Sequence, residues 1–243
     1  MYTRTIRYGP GYQWISNNHV GIIPKGTKRE PKRKRTPEEM DKQNARNRAR
    51  HLQLLILGNF KDGWHITLTY KKDKRPRDAL EAKADLQKFH RRMKTKLKKA
   101  GFDYKWVAVA EIGRNGAVHH HLILEELHSE SFSTLKAVRE AWEGIFYSSM
   151  LYEDGSFEQL SDYLTKKETK EKVPGCKVSH SRNLITPKTK RKRMKGAKWR
   201  IEPKVPKGWM LIKDSLWNGF NIFSGYPCQQ YLLIELPKNK SGG

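Results

Sequence analysis

The chain has 243 residues, long enough to bury a core of its own and to hold one or two domains. Its hydrophobic content is 36% against 31% charged residues, so part of the length is expected as solvated arm or tail. Fifty Lys and Arg oppose 25 Asp and Glu, a formal net charge of +25, which calls for a polyanionic partner.

An acidic membrane surface is the weaker candidate, because no apolar run approaches the ~18 residues of a spanning helix. The first fourteen residues also carry no apolar run of the signal-peptide kind, and a cytoplasmic setting is the expectation. Cys176 and Cys228 have no CxxC partners, which argues against a zinc finger and against a disulfide framework. Charge alone leaves a ribosome-associated or histone-like binder open.

In chain order, residues 1–24 show Tyr, Trp and Gly without clear periodicity. Residues 25–35 hold seven basic residues and one acid, which predicts a basic arm. Thr36, Pro37, Glu38 and Glu39 form a helix-start signal: a capping Thr, Pro at the first position and acids in the first turn. That helix is expected to reach Leu57 and stop at Gly58, presenting Asn44, Arg46, Asn47, Arg48 and Arg50 early. Residues 64–70 alternate and read as a strand. Leu86, Phe89, Met93 and Leu97 recur at helical spacing and predict a helix over 78–100, stopped by Gly101. Residues 105–112 and 117–124 read as two strands of a hairpin turning at 113–116. A helix is expected over 131–147, a short strand over 150–152 before the Asp154-Gly155 turn, and a last helix over 156–171.

The order β-α-β-β-α-β-α predicts an α+β fold: an antiparallel sheet with helices against one face, in ferredoxin-like topology. The expected organisation is a basic N-terminal arm and helix (1–58), a compact α+β domain (59–187) and a basic, aromatic C-terminal extension (188–243). Within the extension, residues 188–200 either bind DNA phosphate or form a solvated run. Trp199, Trp209, Trp217 and Tyr226 are expected to pack, with stacking on bases as the other reading.

The chemistry concentrates in the hairpin. Alternate residues of a strand share a face, so His119 and His121 project together and His120 projects away. Two imidazoles on one rigid strand are two ligands for a divalent metal, and Glu111, ending the preceding strand, is the candidate third. One buried histidine is usually structural. Three in succession would leave several ring nitrogens in need of partners, at roughly 1–3 kcal/mol each if unmet. On the last helix Tyr163 is the candidate nucleophile. Lys166 and Lys167 follow at three and four residues, and either cation could favour the phenolate of a group whose ordinary pKa is about 10.

The runs HITLTY (65–70), VAVAEIGRNGAVHHHLIL (107–124) and YLTKK (163–167), in that order, resemble the three motifs of HUH endonucleases. More closely they look like rolling-circle replication-associated proteins of bacteria and their phages, relatives of the filamentous-phage gene II nickase. The similarity runs from about residue 44 to residue 187 and takes in the SHSRNL segment (179–184). The resemblance implies Glu111, His119 and His121 as metal ligands for Mg²⁺ or Mn²⁺, with Zn²⁺ not excluded by the ligand set. It implies Tyr163 as nucleophile with Lys166 beside it, and His120 in a place usually held by a hydrophobic residue.

Thr67 and Thr69 fall in the first motif and count among the expected DNA-binding residues. The others are Arg48, Lys167, Arg182, Lys188, Lys190 and Arg191. Lys167 stands where two-tyrosine relatives carry their second tyrosine, so a single-tyrosine enzyme is implied. The implied activity is nicking of single-stranded or hairpin origin DNA, giving a 5′-phosphotyrosine and a free 3′-OH that a host polymerase extends. No GxxxxGK[ST] loop is present, so unwinding would fall to a host helicase. A transposase or relaxase of the same chemistry, and a non-catalytic nucleic-acid-binding protein, remain the alternatives.

Overall fold

The structure is a computed structural model that describes residues 1–19, 23, 25–31, 34–113, 117–151, 157–165, 178–221 and 224–237. The chain divides into two compact units, one of residues 1–44, 51–59 and 185–243, the other of residues 45–50 and 60–184.

The first unit is built on a five-stranded antiparallel sheet. β1 (Tyr2–Gly9) and β2 (Tyr12–Asn18) form a hairpin. β10 (Lys188–Met194), β11 (Trp209–Phe220) and β12 (Pro227–Glu235) complete the order β10-β1-β2-β12-β11. The residues expected as a separate arm (1–58) and extension (188–243) therefore share one sheet. β2 is its middle strand, and Ile15 sits opposite both Ile6 and Tyr231.

Helix α1 (Pro37–Leu57) begins as the sequence predicts. The Thr36 hydroxyl accepts from the Glu39 N–H while the Glu39 carboxylate accepts from the Thr36 N–H, a reciprocal cap worth about 1 kcal/mol. Leu54 packs with Tyr12, Trp14 and Leu232 in one cluster; Ile15, Tyr231 and Leu233 centre another. Trp199 meets Tyr2 edge-on at 5.1 Å and lies 5.0 Å from His19, and Trp209 joins the Ile15 cluster. Trp217 is the exception among these aromatics, at 47% exposure.

In the second unit the strands are β3 (Gly63–Thr69), β4 (Trp106–Ile112), β5 (Val118–Glu125), β8 (Ile145–Met150) and β9 (Ser179–His180). They lie antiparallel in the order β8-β3-β5-β4-β9. Because β5 lies between β3 and β4, the connection between those two through helix α2 (Ala79–Lys99) skips one strand. This is the expected α+β architecture. A small hairpin of β6 (His128–Ser129) and β7 (Phe132–Ser133) precedes helix α3 (Thr134–Ala141).

Both helices cover one sheet face. Phe89, Met93 and Leu97 of α2 and Ala137, Val138 and Ala141 of α3 meet Ile66, Leu68, Ala108, Leu122 and Leu124. Alternation then places His65, Thr67, Val109, Glu111, His119 and His121 on the opposite face.

Two elements differ from expectation. The helix predicted over 131–147 spans only Thr134–Ala141, and the strand expected over 150–152 is replaced by β8, which runs from Ile145 to Met150. Helix α4 (Glu158–Thr165) carries Tyr163. The rest of its predicted span, 166–171, lies outside the described residues, as do Lys166 and Lys167, residues 114–116 of the hairpin turn, the Asp154-Gly155 turn, Tyr152 and Cys176. Cys228 is buried, and burial pushes its thiol up to about 11.

Candidate active site

The register of β5 sets the site. His121 lies opposite Thr67 on one side and Val109 on the other, while His119 lies opposite Thr69 and Glu111. Glu111 is thus beside His119 and diagonal to His121, within reach of a long side chain. Its Oε2 stands 2.8 Å from His121 Nε2. The same oxygen accepts from the Tyr163 hydroxyl at 3.2 Å, and the tyrosine ring meets the His121 ring edge-on with centroids 5.4 Å apart.

Tyr163 reaches this point because α4 buries its other side. Phe157, Ser161, Leu164 and Thr165 are buried, whereas Tyr163 is 39% exposed. The Phe157 carbonyl accepts from the Ser161 N–H, and Phe157 has φ 49°, the only positive φ of a non-glycine residue among the described residues. A bulky residue held in the left-handed region just before the helix costs of order 1 kcal/mol or more, and the burial of its ring fixes how the helix starts.

His120 occupies the helix face, as the alternation requires. It is buried, its Nε2 stands 2.8 Å from the Tyr70 hydroxyl, and its ring packs edge-on against Trp142. Burial lowers its pKa to about 4, with the nearby His121 and His119 adding to the effect. It is a neutral core imidazole.

On the site face His121 is only 6% exposed, and burial lowers its pKa despite the opposing pull of Glu111. A buried imidazole kept neutral is the form that binds a metal. Burial and the neighbouring carboxylate together raise the pKa of Tyr163, so it is held as a phenol donating to Glu111.

His65 completes the face and was not singled out by sequence reasoning. Its Nε2 lies 3.3 Å from His121 Nδ1, the two rings stack at 5.4 Å, and the Thr67 hydroxyl lies 3.2 Å from the same nitrogen. Burial, reinforced by His121, lowers the His65 pKa to about 4. The signal was present: His65 has the parity of Thr67 in an alternating strand. What the sequence lacks is the pairing that sets this strand against β5.

The donor chemistry of Glu111, His119 and His121 suits a divalent cation. Among the described residues no three His, Cys, Asp or Glu side chains converge closely enough to hold an ion as they stand. Two structural features fit one nevertheless. Metal–ligand bonds near 2.1 Å set neighbouring donors about 3 Å apart, and the Glu111–His121 pair stands at 2.8 Å. The Nδ1 atom of His119 is buried with no hydrogen-bond partner among the described residues, and its Nε2 lies over Gly113. A Cβ on Gly113 would sit 2.7 Å from that nitrogen, so glycine leaves the ring its place.

The structure brings Glu111, His119, His121, Thr67, Thr69 and Tyr163 onto one face; Lys167 lies outside the described residues, and the remaining expected DNA contacts are on other elements. Thr69 donates to the Ile145 carbonyl on β8. Arg182 is exposed just after β9, whose neighbour Ser181 bonds the Trp106 backbone at the sheet edge. Arg48 is on α1 with a buried Nε, and Lys188, Lys190 and Arg191 are on β10 in the other unit.

Residues 63–171 match a family model described as the replication-associated protein of the ORF2 and gene II protein type. The matched stretch is somewhat under half of the chain and contains every residue of the face just described. The match supports a replication-associated protein of the gene II type, with DNA as its partner. Searches of curated proteins and of solved structures return no match. Among the described residues, no helix is long and apolar enough to cross a membrane.

Proposed function

We propose that the protein is a metal-dependent, single-tyrosine endonuclease and strand transferase that nicks single-stranded or hairpin origin DNA to start rolling-circle replication. The observation that carries this reading is the double contact of Glu111 Oε2, with His121 Nε2 at 2.8 Å and with the Tyr163 hydroxyl at 3.2 Å. The candidate nucleophile's hydroxyl and a candidate metal-ligating imidazole meet at one carboxylate oxygen, itself a candidate ligand, on the sheet face opposite α2 and α3. The strand order β8-β3-β5-β4 supports the ferredoxin-like palm that the sequence resemblance implies.

Glu111, His119 and His121 would hold Mg²⁺ or Mn²⁺, which supplies charge neutralisation at the scissile phosphate. The protein's own part begins with Tyr163. Its oxygen attacks phosphorus, the bond to the 3′-oxygen breaks, and the phenolic proton ends on that oxygen as the free 3′-OH. One phosphodiester replaces another, so the reverse reaction rejoins strands. As it stands Tyr163 is a phenol facing a carboxylate, and positive charge at Glu111 or from Lys166 is what would favour the phenolate. Thr67 and His65 fix the His121 ring from behind. The proposed setting is the cytoplasm, with a host helicase and polymerase acting on the nicked strand.

Tyr163→Phe removes one oxygen and leaves the buried side of α4 unchanged. Incubated with a single-stranded origin oligonucleotide and Mn²⁺, the wild-type protein gives a covalent protein–DNA band on a denaturing gel, and the variant gives none. An adduct of equal yield in the variant would reject Tyr163. No adduct from either protein would favour a non-catalytic DNA-binding protein.

A further inference from the structure

β1 and β10 pair over seven positions at one edge of the first unit's sheet. Directly opposed residues share a face. Lys188, Lys190 and Lys192 therefore lie on one face, opposite Tyr8, Ile6 and Arg4, while Arg191 and Arg193 lie on the other, opposite Thr5 and Thr3. Arg7 joins that second face. Neither strand contains an acidic residue, and none of these cations is paired with a carboxylate among the described residues. Edge strands commonly carry one or two lysines against aggregation. Here Arg4 stands directly opposite Lys192, an arrangement that destabilises a sheet until an anion lies between or beside the charges.

Arg4 is also held in place. Its Nε donates to Asn17 Oδ1 at 2.9 Å, and Asn17 Nδ2 donates to Gln229 Oε1 at 2.8 Å. The Gln229 amide is in turn fixed by the Arg200 and Ile201 carbonyls and by Asn218 Oδ1, each at 2.9 Å. Asn17 and Gln229 are essentially inaccessible to solvent. A buried amide chain that ends on a partly exposed guanidinium pre-sets the cation's position and lowers the entropy cost of meeting an anion.

We propose that the β1–β10 ribbon is a duplex-DNA-binding element that enters the major groove, each charged face against one phosphate backbone. The groove, about 12 Å wide, admits a two-stranded ribbon. A ribbon charged on one face only would suit a flat anionic surface; charge on both faces suits a slot with two anionic walls. Single strands are bound by stacking bases on aromatic side chains, and only Tyr8, at one end of this ribbon, is an exposed ring. The A-form RNA major groove is too narrow and deep to admit the ribbon. The element belongs to the first unit and Tyr163 to the second; it would hold the double-stranded part of a replication origin.

Threonine keeps strand propensity while removing charge, so the test compares full-length wild type with two variants. One is Lys188→Thr/Lys190→Thr/Lys192→Thr and the other Arg191→Thr/Arg193→Thr. Affinities are read by fluorescence anisotropy for a 20-base-pair DNA duplex, the same sequence as RNA duplex, the single strand, and phosphatidylserine vesicles. The proposal expects each variant to lose about tenfold or more in DNA-duplex affinity near 0.15 M salt, with a salt slope shallower by about three for the lysine variant and about two for the arginine variant. Single-strand binding changes much less, and RNA duplex binds more weakly than DNA duplex to the wild type. Arg4→Gln, which keeps a donor toward Asn17, gives a smaller loss in the same direction and serves should a strand variant fail to fold. Wild-type DNA affinity in all the variants, loss from one face only, equal binding of RNA duplex, or a loss confined to vesicles would each overturn it. Tyr163→Phe should bind duplex as the wild type does, so failure of the nicking chemistry and failure of the ribbon are read separately.

Discussion

Thr67 and His65 stand on the side of His121 away from Glu111, and both can donate or accept a hydrogen bond. With Nε2–H directed at the carboxylate, Nδ1 of His121 must accept; were a metal held at Nε2, the ring proton would sit on Nδ1 and need an acceptor. Partners able to do either keep the ring fixed through that change. His65→Ala should therefore slow Mn²⁺-dependent nicking about 10–100-fold and raise the Mn²⁺ concentration needed for half-maximal rate. Its melting temperature should stay near that of the wild type, since the position faces away from the main core. His65→Gln, which restores a group that both donates and accepts, should recover part of the loss. Wild-type rate and metal dependence in the alanine variant would remove His65 from the site. The neighbours His119, His121 and Glu111 could be named from sequence because strand parity and one tight turn fix their relation. His65 lies 56 positions before His121, and no local pattern relates them.

At the scale of elements, most of the second unit was legible: strands, α2 and its register follow from alternation and from Leu86, Phe89, Met93 and Leu97. The overlong third helix shows where periodicity misleads. Leu135, Val138, Trp142, Ile145 and Phe146 keep helical spacing, yet the chain turns extended at Trp142 (φ −110°, ψ 126°). Two tertiary contacts override the pattern. The Trp142 indole N–H donates to the Thr69 carbonyl at 2.9 Å, and residues Ile145–Met150 pair with β3. Gly144 makes the crossing possible, because a Cβ there would lie 2.1 Å from that same carbonyl oxygen. Gly144→Ala must push β8 away from β3, at a cost of about 1–3 kcal/mol. Urea unfolding measures the loss, and faster hydrogen exchange at the amides of β8 locates it. Unchanged stability and exchange would show that the loop relaxes without disturbing the strand.

For the whole molecule, the largest departure from the sequence reading is that the two ends of the chain build one sheet. Nothing local announces it: Tyr2 of β1 pairs with Met194 of β10, and the Asn17–Gln229 hydrogen bond spans 212 positions. The basic composition of β10 also hides its strand character, since five of its seven residues are cations. The consequence is testable by removing residues 1–18. A detachable arm would leave the melting profile unchanged. In this sheet, however, β2 is the middle strand, and its loss separates β10 from β12. Tyr12, Trp14 and Ile15 would leave two clusters, uncovering Leu232, Tyr231 and Leu233. Each large apolar side chain so exposed forfeits about 1.5–3 kcal/mol, and several together match the roughly 5–15 kcal/mol that holds a typical domain folded. The truncated chain should therefore lose the near-ultraviolet dichroism of its packed Trp and Tyr residues and should aggregate at concentrations where the full chain stays in solution. A truncated protein that melts with the same midpoint and spectrum would mean that β10, β11 and β12 hold together without the hairpin.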